Sequence, residues 1–157
     1  PNRNELLASL LQRDFDVIRN ENHKAAEIAQ TFEDMVRLTT RNYLYHVRAR
    51  GSLLSRLLSE PSVVALVLQS REEDQQKSNR YLVKQVKHAC GVPLEVAIAV
   101  VDMCNGLTDA ASKFVYNESM EFQLVEDLCV TMILASVDAM SKDHGDGCFS
   151  RHTPLKC

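Results

Sequence analysis

Five glycines and four prolines punctuate 157 residues, about half the usual supply of the two residues that turn a chain. A β-sandwich or barrel needs a turn roughly every 8–12 residues, so that shortage excludes most all-β architectures. No two glycines are adjacent, which also weighs against a glycine-rich phosphate loop. Hydrophobic residues make up 45% of the chain and charged residues 25%. That is the composition of a folded domain with a real core, not of a disordered segment.

The few punctuation marks draw the elements. Leu6, Leu7, Leu10, Leu11, Phe15 and Ile18 recur at helical spacing, which predicts a first helix to about Arg19. Asn20-Glu21-Asn22 reads as a break. A long second helix then runs from Ala25 past Val47 to a stop at Gly51, and Ser52 to Ser59 reads as a short leucine-rich turn. Pro61 suits the first turn of another helix, because its missing N–H has no partner there in any case. That helix runs to about Ala89, with a bend or break expected in its polar middle, Ser70 to Asn79. Gly91 stops it, and Pro93 starts a helix to Tyr116. Asn117 and Ser119 are competent caps for a last helix to about Met140. The fold class is therefore all-α, an antiparallel bundle of five to six helices over residues 1–140. Residues 141–157 read as a flexible C-terminal tail.

Charge is unevenly spread. Residues 1–90 hold 14 Lys and Arg against 11 Asp and Glu, while residues 91–157 hold 4 against 10. The first part is about +3 and the second about −6. The sharpest local feature is Arg37, Arg41, Arg48, Arg50 and Arg56, with no acid between Met35 and Ser59. Positions 37, 41 and 48 fall within about 40° of one another on a helix. Arginine forks match carboxylates and phosphates, so this stripe is a candidate for binding an anion or an acidic partner. The alternative is pairing within the chain, with Glu118, Glu121, Glu126 and Asp127 of the last helix. A second basic row is Lys77, Arg80, Lys84 and Lys87, with a solvated face as its plainer reading.

Catalytic and metal signatures are missing. The five cysteines form no C-x-x-C pair, and Cys90, Cys104 and Cys129 sit in apolar helical patterns where thiols act as small hydrophobes. That usage predicts a reduced, intracellular protein of the cytoplasm. The five histidines are scattered, without an H-x-x-x-H or H-E-x-x-H pattern. His144, Asp146, Cys148 and His152 lack the tight spacing of a zinc site. No metal or cofactor is expected. Apolar runs reach only six residues, as at Val96 to Val101, far short of a membrane span.

Three segments carry a family resemblance. Ala89 to Val96 contains Val92-Pro93-Leu94-Glu95-Val96, which resembles a segment of the formiminotetrahydrofolate cyclodeaminase and methenyltetrahydrofolate cyclohydrolase family. Met35-Val36-Arg37-Leu38-Thr39-Thr40-Arg41-Asn42-Tyr43 and Asn117 to Ile133, with Asp127-Leu128, are similar to two further segments in the same order. The resemblance implies an all-helical, dimeric relative of enzymes acting on folate one-carbon groups. The family's triple-glycine loop would fall near Val17-Ile18-Arg19, and this chain has no glycine before Gly51. Glycine lets backbone approach a ligand closely, so its replacement implies a non-catalytic relative. Three functions stay open. The first is a non-enzymatic interaction domain that self-associates or binds a protein partner, with the arginine stripe contacting an acidic group. The second is a folate-dependent one-carbon enzyme or an inactive relative. The third is nucleic-acid binding through the two basic rows, against which the overall acidity counts.

Overall fold

Asn2 and Glu5 make a reciprocal capping box: Asn2 Oδ1 accepts from the Glu5 N–H, and Glu5 accepts from the Asn2 N–H. This starts α1, Arg3–Ile28. Thr31 and Asp34 repeat the device at the head of α2, Phe32–Arg50. Three further helices follow: α3 (Pro61–Cys90), α4 (Leu94–Tyr116) and α5 (Phe122–His144). In this computed structural model the described residues are 2–51, 53, 57 and 60–155, with backbone alone described for 68–79. The expected turn at Ser52 to Ser59 falls largely outside them, as does Arg56.

The molecule is an all-α bundle. Both α2 and α3 pack against α1, α4 and α5, and α4 packs along α5. The main core joins Met35 and Val36 of α2 to Val83, Val86 and Ala89 of α3, Val100 and Val101 of α4, and Ile133, Leu134 and Val137 of α5. A second cluster seats Leu11 of α1 against Val47, Val63 and Val67. The cysteines of the helices belong to the interior. Burial pushes the Cys90 thiol up to about 12 and the Cys104 thiol up to about 11, so both remain protonated hydrophobes.

Several boundaries differ from expectation. The break at residues 20–22 does not occur; α1 runs through it, and the turn lies at Ala29 to Thr31. Asparagine costs a helix only a few tenths of a kcal/mol, less than the Thr31 capping box returns. The backbone of α3 is helical through Ser70 to Asn79, without a break. Asn117 ends α4 rather than starting α5, Glu118 takes a left-handed φ of 51°, and Glu121 is the residue before α5.

The chain after residue 140 is also placed differently. Helix α5 continues to His144, and the following residues lie against the start of α2. The N–H groups of Phe32 and Glu33, free by position in the first turn of α2, donate to the carbonyls of Thr153 and Arg151 at 3.0 Å each. Phe149 meets the buried Phe32 ring edge-on, with centroids 5.4 Å apart. At the other end, the Cys90 carbonyl at the terminus of α3 accepts from Ser141 Oγ at 3.2 Å. A Cβ on Gly145 would lie 2.0 Å from that carbonyl oxygen. Gly145→Ala is therefore expected to cost roughly 1–3 kcal/mol, read as a lower urea midpoint. Gly106→Ala, on helical backbone with open space around it, should instead gain about 0.5–1 kcal/mol in the same measurement.

Candidate functional site

The arginine stripe of α2 faces α5. Arg41 makes a fork on Glu126: Nε lies 3.1 and 2.9 Å from the two carboxylate oxygens, and Nη2 lies 2.8 Å from Oε1. The Glu126 side chain is fully buried. Arg37 donates to Asp127 Oδ1 at 2.9 Å and stands 3.6 Å from Glu126 and 3.7 Å from Glu33. The Arg37 hydrogen bond, helped by Gln123, holds the Asp127 carboxyl below its usual range. Hydrogen bonds to Asp127 and Glu126 raise the Arg37 and Arg41 guanidinium groups above theirs.

Arg48 takes another route to the same helix, with its guanidinium 5.7 Å over the Phe122 ring. Arg50 pairs with Asp14 and ties α2 to α1. The charge segregation of the sequence thus closes inside the molecule for Arg37 and Arg41, the within-chain alternative stated for the stripe, whereas Arg50 pairs with an acid of the N-terminal part. On α3, Arg80, Lys84 and Lys87 are exposed, and the Lys77 side chain lies outside the described set. Among the described residues, no group of three or more His, Cys, Asp or Glu side chains could hold a metal ion. No single helix among them is long and apolar enough to cross a membrane.

His46 stands beside the Arg50–Asp14 pair, and its Nε2 is buried with no hydrogen-bond partner. Burial lowers its pKa, opposed by Asp14 and Glu21 and reinforced by Arg50. The unfolded chain, with a histidine near the ordinary value of about 6.5, takes up the proton first as pH falls. This contribution is complete above that value and lost as pH falls through the lower, folded one. His46→Gln is expected to flatten the decline in Tm measured between about pH 7 and pH 5. An unchanged slope would refute the assignment.

The outward side of α4 and α5 holds what the charge pattern did not point to. On α5, Leu124, Leu128 and Met132 are 48%, 47% and 53% exposed, at successive four-residue steps. Thr131, Ala135 and Ala139, also exposed, fill the same face. On α4, Met103 is 74% and Phe114 48% exposed, with Gly106 and Ala110 between them and Ala99 a turn before Met103. The helices meet where Ala111 and Val115 of α4 share one cluster with Val125 of α5. From that seam each stripe starts about 60° outward on its helix, while Glu126 and Thr108 lie inward. The two stripes therefore flank one seam and form a single apolar face. Their ends are charged and exposed: Glu95 and Lys113 on α4, Glu121 and Lys142 on α5. The sequence did carry a signal for this face. Helices α4 and α5 are apolar on more than the stripe a core needs, so each carries a second, exposed apolar side.

Comparison with family models, curated proteins and solved structures finds no match to this chain.

Proposed function

We propose that this chain is a non-enzymatic helical interaction domain whose partner is a second copy of itself, docked through the outward face of α4 and α5. The exposed stripe Leu124, Leu128 and Met132 carries this reading. Soluble surfaces scatter single apolar residues but rarely align them along a helix beside a second such helix. Charge selects the occupant. The α5 stripe begins at an acid, Glu121, and ends at a base, Lys142, about 31 Å apart along the axis. An antiparallel copy of the same helix sets acid against base at both ends, as a two-fold interface requires. The α2 arginines support this arrangement from behind, since their bonds to Glu126 and Asp127 fix the roll of α5.

Light scattering on size-separated samples over a dilution series tests the reading. The expected result is a mass near 35 kDa, twice the 17.7 kDa of the chain, falling to one chain's mass on dilution. Leu128→Glu, at an exposed position, should give one chain's mass throughout with unchanged helical circular dichroism. A wild-type protein of single-chain mass at every concentration refutes self-association. A variant that keeps the double mass refutes the face.

A further inference from the structure

All five helices contribute to the lining of a cavity of about 310 Å³ in the bundle. Its floor is apolar and includes the buried side chains of Ile18, Val36, Val101 and Ile133. Asn105 and Asp109, both exposed, stand at its rim. The volume suits roughly ten non-hydrogen atoms at about 30 Å³ each, the lower end of the range for small-molecule sites.

The lining carries acceptors on α2 and α4, and the donor-bearing side chains Gln12 and Arg19 on α1. Thr39 donates its hydroxyl proton to the Met35 carbonyl at 2.8 Å, and Thr108 donates to the Cys104 carbonyl at 3.0 Å. Both threonines then offer lone pairs. Asn22 holds a buried amide oxygen that meets no donor. On the α1 wall, Gln12 Nε2 and Arg19 Nη2 each donate to Asp16, at 3.1 and 2.9 Å. Asp109 accepts from the Tyr43 hydroxyl. A carboxylate has about four lone-pair sites, so capacity remains.

An apolar floor beneath acceptors and a carboxylate calls for a ligand with an apolar body and a donor-only cationic end. We propose that this cavity binds a small primary amine, its hydrocarbon part on the Ile18–Val101 floor and its ammonium at Asp109. The three N–H donors of an ammonium match the lone pairs available, whereas a carboxylate end would meet like charge at Asp109. The site lies inside one bundle, so it is independent of self-association, and its variants should leave the dimer mass unchanged.

Calorimetric titration of the full chain with phenethylamine, phenethyl alcohol and hydrocinnamate tests this. These three share one aromatic body and differ in the polar end. The amine is expected to bind saturably and about tenfold more tightly than the alcohol, with the acid weakest. Asp109→Asn should reduce the amine to the affinity of the alcohol. Asn105→Trp, at an exposed rim position that tolerates bulk, should block both. Absence of saturable amine binding overturns the proposal. So does an acid that binds as well as the amine, or an Asp109→Asn protein that holds the amine unchanged.

Discussion

Replacing Arg41 with alanine is expected to lower the unfolding free energy by about 3 kcal/mol. Glu126 has no access to water, and the Arg41 fork supplies three of its hydrogen-bond contacts. Without the fork a carboxylate stays buried and uncompensated, which costs several kcal/mol. Two features keep the loss at the lower end of that range: Arg37 remains 3.6 Å from the same oxygen, and Arg41 itself is 39% exposed. Arg37→Ala should cost less, because its main partner, Asp127, is exposed and solvated. The double variant Arg41→Met with Glu126→Leu removes both charges and keeps the volume, so it should fall within about 1 kcal/mol of the parent. Urea midpoints at constant m-value read all three. A large loss for the single variant with recovery in the double identifies desolvation as the cause. A loss that persists in the double shows that the pair contributes net attraction.

The same pair shows how far the sequence reaches. Helical periodicity alone places Arg37, Arg41 and Arg48 on one face, and that is where they stand. Which helix lies opposite depends on the packing of five elements, so external binding and pairing with Glu126 and Asp127 were equally written in the letters. The helix class was legible because so few residues here can turn a chain. The first break was not, because Asn20 and Asn22 are only weakly unfavourable in a helix, while Thr31 and Asp34 cap each other. The contacts of the residues after 140 were not legible for a related reason. Their side chains are mostly polar, and what seats them is backbone: the carbonyls of Arg151 and Thr153 on the N–H groups of α2. No composition count records a carbonyl. The acceptors of the cavity are hidden similarly, since the proton of Thr39 or Thr108 is assigned only once the helix carbonyl beside it is in place.

Exchanging one large and one small residue on α5 gives the most discriminating outcome for self-association. In an antiparallel pair with the two-fold axis beside Thr131 and Met132, Leu128 lies against the partner's Ala135, and Leu124 against the partner's Ala139. Each large side chain then meets a small one. Leu128→Ala removes two half-exposed leucines from the dimer, one per copy, and should weaken association by roughly 2–3 kcal/mol, about 30- to 150-fold in Kd. Ala135→Leu sets leucine against leucine twice over and should also weaken it, through overpacking. Carried together, the two changes move each leucine to the other side of the same contact and restore the match of large to small. The double variant is therefore expected to recover most of the parent affinity in sedimentation or light-scattering dilution series, a strongly non-additive cycle. Additive losses would exclude this register. The Arg41 variant links the two predictions: with the roll of α5 released, the same dilution series should show weaker association even where the chain stays folded.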